Sequence, residues 1–259
     1  MEFKKLHTLG NDFIVFGNPY INKIHDSDLI ALLCDRHYGI GCDKVVFITS
    51  SSTADYFMHV FDPIGREIEF SGNALSCSAK YVADCGFYKK RSFSVETPCG
   101  VRSVKMDNSD ITVEIGTPTV IEKSALNISG VSLPYYYVTV GSPHCVVFLT
   151  YGFDDREFNY FGSTIAKHPI FPNGVNVEFA CLTSNNRIIM RVWDRGIGET
   201  SSSSAGSCAC AAAAQTESLC GNIVQVYQQG GIITVETNNC GNMFTTVNCK
   251  TIFSGVYLQ

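Results

Sequence analysis

The sequence predicts an α+β fold of two pseudo-symmetric domains, each a set of strands around one central helix. Three observations lead there. First, the chain repeats itself: Met58-His59-Val60-Phe61-Asp62 returns 132 residues later as Met190-Arg191-Val192-Trp193-Asp194. Glu67 returns as Glu199, and Ser71, opening Ser71-Gly72-Asn73-Ala74, returns as Ser203, opening Ser203-Ser204-Ala205-Gly206. Hydrophobic spacing alone would not carry an Asp, a Glu and a Ser along together. Second, in both copies a β-rich run leads through a glycine-containing turn into a stretch of small helix-compatible residues. Third, the period is too long for a solenoid and suits a domain. Residues 1–117, joined by a C-terminal strand at 250–259, make one half, and residues 118–249 the other.

The elements follow in chain order. Gly10-Asn11-Asp12-Phe13-Ile14-Val15 opens the first half and has a weaker counterpart in Gly141-Ser142-Pro143-His144-Cys145-Val146. A helix is expected from Asp26 to Cys34, opened by an Asp/Ser cap. Phe57 to Phe61 reads as a strand and Pro63-Ile64-Gly65 as a turn. The central helix of this half runs from Asn73 to Cys85 and ends at Gly86. Short strands follow at Phe93 to Glu96 and Ile111 to Ile115. The crossing at Thr117-Pro118-Thr119 is short and strand-like, so the halves are expected to pack face to face around a cleft. In the second half Ile188 to Trp193 is a strand and Arg195-Gly196-Ile197-Gly198 a turn. A helix from Ala205 to Cys220 ends at Gly221, its Ala209–Ala214 run being strong helix former. Strands at Ile232 to Glu236 and Phe244 to Val247 complete it. Val95-Glu96-Thr97-Pro98-Cys99-Gly100 is echoed by Val235-Glu236-Thr237-Asn238-Asn239-Cys240-Gly241, at an offset grown to 140 by insertion.

Composition narrows the function. With 45% hydrophobic and 17% charged residues, the 259-residue chain can bury one large core or two moderate ones. A net charge of −5 without a basic block argues against a nucleic-acid partner. No apolar run reaches membrane-spanning length and the start lacks a signal-peptide pattern, so the cytoplasm is the expected compartment. The 12 cysteines include no C-x-x-C pair, and most are read as buried free thiols. No clustered ligand spacing suggests a metal. Nothing resembles a phosphate loop or dinucleotide fingerprint, so no cofactor is expected.

The chemistry is expected at the two serine segments. Each serine stands at a helix start followed by small residues, where free backbone N–H groups and the helix dipole bind anions. Two such turns facing one another would grip a carboxylate from both sides. One side chain would then stand on each face of the carbon bearing it, which suits removal of a proton from one face and its return to the other. Taken singly, either serine is an ordinary helix cap; it is the joint recurrence that favours a paired site.

The chain resembles the diaminopimelate epimerase family of pyridoxal-phosphate-independent amino-acid racemases along nearly its whole length. The likeness is carried by His7-Thr8-Leu9-Gly10-Asn11-Asp12-Phe13, Cys34-Asp35-Arg36-His37-Tyr38-Gly39-Ile40-Gly41, Gly141-Ser142-Pro143-His144 and Asp194-Arg195-Gly196-Ile197-Gly198-Glu199-Thr200. It implies two domains, each a mixed β-barrel-like sheet around a central helix, with the active site between them. It also implies a small-molecule amino-acid substrate, no cofactor, and monomers or homodimers. The resemblance places Ser71 and Ser203 at the positions of the family's two catalytic cysteines, with His144 and Asp194 flanking them. Gly72, Asn73, Ser204 and Ala205 align with the backbone cradle for the reacting carboxylate, and Asn11 with a side-chain contact. Lys44, Asp62, Ser142, Asn176 and Arg195 complete the expected substrate-binding set.

The departures matter equally. A thiol at a helix N-terminus ionises near neutral pH, whereas an alkyl hydroxyl does not. With serine at both positions the chain is expected to be nearly inert toward an amino-acid α-carbon. Natural loss of both bases would give a binding protein. A deliberate Cys-to-Ser pair would give a substrate trap, which the symmetric, isosteric change favours. The family collects a distal substrate carboxylate with three Asn and an Arg; Asn176 and Arg195 remain here, but Asp62 and Ser142 replace two Asn. A further family Arg is Ser76. A carboxylate at 62 suits a cationic group unless Arg195 neutralises it, so histidine or another basic amino acid is the expected substrate, with diaminopimelate next. A serine hydrolase using Ser203 and His144 lacks a G-x-S-x-G elbow. A noncatalytic amino-acid sensor and the fold-related proline racemase and phenazine-biosynthesis types are the remaining alternatives.

Overall fold

The computed structural model describes residues 1–87, 90–184 and 186–258. It divides into two compact units, Met1–Glu114 with Thr246–Gln259, and Ile115–Thr245. The first contains β1 (Glu2–Thr8), β2 (Asn11–Phe16), α1 (Ser27–Cys34), β3 (Lys44–Thr49), β4 (Tyr56–Phe61), β5 (Glu67–Ile68) and α2 (Gly72–Asp84). It continues through β6 (Ser92–Thr97), β7 (Gly100–Asp107) and β8 (Asp110–Gly116). The second contains β9 (Thr119–Ile128), β10 (Val131–Val140), β11 (Ser142–Phe148), α3 (Asp155–Ala166), β12 (Asn176–Ser184), β13 (Arg187–Asp194) and β14 (Gly198–Thr200). Then come α4 (Ser204–Thr216), β15 (Ile223–Gln228) and β16 (Gly231–Thr237), and β17 (Met243–Val256) returns the chain to the first unit from Thr246 onward.

In the first unit the pairings run β17-β1-β2-β3-β4-β6-β7-β8 and return to β17, a closed mixed barrel. Helix α2 lies against β1, β2, β3, β4 and β7. Helix α1 covers the outer face of the parallel pair β2 and β3, packing Leu29, Ile30 and Leu33 on Ile14, Phe16, Val45 and Phe47. Covered on both faces, β2 and β3 are buried at every position, as parallel strands between helices require. Each of those apolar side chains contributes about 1.5–3 kcal/mol by leaving water.

The second unit repeats the plan. Its strands run β9-β10-β11-β12-β13-β15-β16, with α4 against β9 to β13 and β16. Helix α3 packs Phe158, Phe161 and Ile165 on Cys145, Val147, Val177 and Phe179. Helix α4 is buried on nearly every side. Enclosure by strands explains its Ala, Ser and Cys composition, because larger side chains would not fit.

Register defines which residues are equivalent. Phe13 faces Lys44 as His144 faces Asn176, and Val45 faces Phe61 as Val177 faces Trp193. Tyr56 faces Val95 as Ile188 faces Val226. Val95 therefore corresponds to Val226, at an offset of 131, and not to Val235. The sequence echo had aligned two unrelated strands, β6 and β16, because each runs into a glycine turn.

The expected strands are present and mostly longer. Asp26 caps α1 by accepting from the Leu29 N–H. Gly86 ends α2 at φ +71, its N–H bonding the Ala83 carbonyl while Phe87 bonds Val82. The end expected for α4 is wrong: it stops at Thr216, four residues before Cys220. Ser218 takes the left-handed conformation, φ +56, and the Ser218 and Leu219 N–H groups close on the Gln215 and Ala214 carbonyls. That is the same closing motif with serine where glycine usually stands. Among the described residues no helix is long and apolar enough to cross a membrane.

Candidate active site

The first half-site is the opening of α2. Ser71 is its cap, extended at φ −152 and ψ 113, with Oγ accepting from the Ala74 N–H. Gly72 and Asn73 form the first, buried turn. Asn73 donates to Asn11 Oδ1 at 3.1 Å, and Asn11 donates to Asp43 Oδ2 at 2.6 Å. Both ends of the Asn11 amide are thus engaged by protein. Behind them Arg36 forks onto Asp12, at 3.1 and 2.8 Å, and reaches Asp43 at 2.9 Å. Lys5 adds an ion pair with Asp12 at 2.9 Å and a bond to the Gly41 carbonyl. Burial would raise the Asp12 carboxyl, but bonds and charges from Arg36 and Lys5 outweigh it and hold it below the ordinary aspartate value. The Gly-Asn-Asp and Cys-Asp-Arg segments therefore meet, and their polar residues brace Asn73. Lys44 opens β3 and is buried.

The second half-site opens α4. Ser203 has nearly the same backbone, φ −145 and ψ 118, and its Oγ accepts from the Gly206 N–H. Its own N–H donates to Gln228 Oε1 at 2.7 Å. Ser204 is buried and Ala205 partly so. Nearby, His144 is wholly buried, with Nε2 2.9 Å from Ser142 Oγ and Nδ1 2.7 Å from Glu178 Oε1. Asn176 donates to Ser142 Oγ at 3.3 Å and accepts from the Arg195 N–H at 3.1 Å. The serine beside His144 is thus Ser142, which removes the Ser203–His144 pairing that a hydrolase would have used.

Glu178 is the main residue that sequence reasoning missed. It is 0% exposed, and its Oε2 has no hydrogen-bond partner among the described residues. A Cβ on Gly206 would lie 2.7 Å from Glu178 Oε1 and 3.1 Å from Ser203 Oγ. Only glycine there lets the carboxylate rest against the first turn of α4. A buried carboxylate left alone would cost several kcal/mol; the His144 bond and the positive helix end offset that cost. A single charged residue in a strand, Asn176–Ser184, whose neighbours Val177, Phe179 and Ala180 are apolar and buried, was the available signal.

The repeated carboxylates have local roles. Asp62 and Asp194 each accept an N–H two residues on, from Ile64 at 3.1 Å and Gly196 at 2.9 Å. Glu67 and Glu199 each pair with the basic residue of the neighbouring strand, His59 at 2.7 Å and Arg191 at 2.9 Å. Turn geometry and strand pairing therefore explain why Asp and Glu recur with the serine. Asp62 is also neutralised within its own turn: Arg66, unread in the sequence, bonds its Oδ2 through Nε at 3.0 Å, and Asp62 is 3% exposed. The free carboxylate expected at 62 is therefore already paired.

A family model described as diaminopimelate epimerase matches residues 3–121 and 136–251. The chain is 34% identical to a diaminopimelate epimerase of Pelotomaculum thermopropionicum, covering 99% of both chains. It is also 34% identical to one of Desulfovibrio desulfuricans, over 99% of this chain and 98% of that one. Among solved structures, a hydroxyproline epimerase from Agrobacterium vitis superposes with a TM-score of 0.80 at 15% identity, covering 98% of this chain and 90% of that one. A phenazine biosynthesis protein of the PhzF family from Bacillus anthracis gives 0.75 at 15% identity, over 100% and 99%. These two share the fold.

Proposed function

Since the chain belongs to the diaminopimelate epimerase family of cofactor-independent racemases and epimerases, we propose that it binds a free α-amino acid at the first turns of α2 and α4. Residues 71 and 203 are the positions from which the α-carbon is inverted. The observation that carries this reading is the identity of the two half-sites. Each puts its serine at the cap of a helix enclosed by strands, in the same extended conformation, with Oγ accepting from the N–H three residues on. A thiol at either position would be ionised by the helix end; the serine hydroxyl stays protonated, so this form holds substrate without inverting it.

The substrate proposed is histidine or another amino acid whose far end carries no carboxylate. The donors that would collect such a carboxylate are depleted: Asp62 accepts only and is taken by Arg66, and Ser76 donates to the Gly72 carbonyl inside α2. Diaminopimelate is the second reading, favoured by the retained Asn176 and Arg195 and by the names of the curated relatives.

The test compares this chain with a Ser71→Cys, Ser203→Cys form in D₂O, using L-histidine, L-lysine and LL-diaminopimelate. Exchange of the α-proton and chiral chromatography are the readouts. The cysteine form is expected to exceed the serine form by at least about 10²–10⁴-fold, the scale of positioned acid–base catalysis. If neither form exchanges any amino acid while both bind one, the protein is a sensor and the epimerase reading falls.

A further inference from the structure

We propose that Glu178 sets the direction of a hydrogen-bond chain running through His144 to Ser142, and thereby selects substrates whose far end donates hydrogen bonds. This deepens the functional reading above and rests on it, with Ser142 taken as one of the expected substrate-binding positions.

The direction is set from both ends. At one end the Arg195 backbone N–H, which can only donate, meets Asn176 Oδ1 at 3.1 Å. That bond orients the Asn176 amide, so Nδ2 faces and donates to Ser142 Oγ. Ser142 has then accepted one bond, and the acceptor within reach of its own proton is His144 Nε2, at 2.9 Å. At the other end Glu178 Oε1 lies 2.7 Å from His144 Nδ1. The first turn of α4, made accessible by the missing side chain of Gly206, turns its positive end toward that carboxylate. An ionised carboxylate accepts only, so the imidazole proton sits on Nδ1 and Nε2 stays bare. His144 and Glu178 are both 0% exposed, so solvent does not scramble the arrangement. The geometry matches the way a buried carboxylate fixes an imidazole tautomer beside a hydroxyl in acyl-transfer triads.

The consequence falls on Ser142. Its proton is committed to His144 and one lone pair to Asn176, so what remains for a ligand is a lone pair. An ammonium or an imidazole N–H can meet it; a carboxylate oxygen cannot. Glu178 is thus a positioning residue, acting on the substrate through His144 and Ser142.

Nitrogen NMR of histidine-labelled protein reads the tautomer directly, the His144 signal being the one absent from a His144→Gln variant. The full chain is expected to show an Nδ1–H ring with a bare Nε2, and Glu178→Ala a mixed or inverted ring. Calorimetry on the serine form then compares L-lysine with L-2-aminopimelate, which differ at the far end by ammonium against carboxylate. A preference of about tenfold or more for lysine is expected, falling to about threefold or less in Glu178→Ala. Ser142→Ala is expected to weaken lysine and not to weaken L-2-aminopimelate, since it frees the Asn176 amide donor. An Nε2–H or doubly protonated ring in the full chain would overturn the proposal and leave the functional reading standing, as would an unchanged preference in both variants. Failure of every amino acid to bind would overturn the functional reading, and the selective role of Ser142 with it.

Discussion

Asp12 shows how a single buried carboxylate serves the site from a distance. It takes two bonds from Arg36 and an ion pair from Lys5, and Asp43 beside it carries Asn11 and hence Asn73. Because its folded-state pKa is depressed, Asp12 contributes stability above the ordinary value of 3.8. That contribution is lost as pH falls from 3.8 through the lower folded value. Asp12→Asn is therefore expected to cost about 2 kcal/mol at pH 7, on the scale of hydrogen bonds to charged groups. The difference from the parent should shrink toward zero near pH 2. Urea unfolding across pH 2 to 7 checks this; a difference independent of pH would remove the charge from the explanation. Arg36, the largest of the lowering influences on Asp12, is half exposed, so its share of the stability is reduced by solvent screening.

At the scale of elements, the end of α4 is the clearest place to add stability. Ser218 holds a left-handed conformation that costs a side-chain-bearing residue about 1 kcal/mol or more. Ser218→Gly is expected to stabilise the protein by about 0.5–1 kcal/mol after glycine's own entropic penalty, measured as a rise in denaturation midpoint. The helix ends also show what could be read in advance. Gly86 announced the end of α2, and Asp26 the start of α1, because those residues carry the capping chemistry themselves. Ser218 gave no such sign, since serine is seldom left-handed and its side chain does not mark a helix end. Helix α3 was legible and went unread: Asp154 and Glu157 form a complete capping box. Ser71 and Ser203 were found because duplication marks them twice. Glu178 and Arg66 were not, because each acts in one half alone and its partner, His144 or Asp62, is identified only once the strands and turns are built.

For the molecule as a whole, the cysteines separate into those the fold hides and those it leaves open. Seven are buried (Cys34, Cys42, Cys77, Cys145, Cys208, Cys210 and Cys249), while Cys85 and Cys240 are exposed. Burial pushes the Cys42, Cys77, Cys145, Cys208 and Cys210 thiols up, and the thiolate is the reactive form. A disulfide reagent at pH 8 is expected to label Cys85 and Cys240 quickly and the buried seven only as fast as the protein unfolds. All 12 should react in denaturant. Mass spectrometry after timed quenching tells these apart, and rapid labelling of Cys77 would contradict the closed barrel. The low background would also make thiols introduced at 71 and 203 easy to recognise. One feature of that barrel bears on folding. Its β1 pairs with β17 from Glu2↔Val256 to Thr8↔Cys249, while the second unit, Ile115–Thr245, lies between the two stretches that make the first. Closing the first barrel therefore joins strands across the whole of the second unit, whereas the second unit closes within one unbroken stretch, and the loop-closure entropy falls on the first.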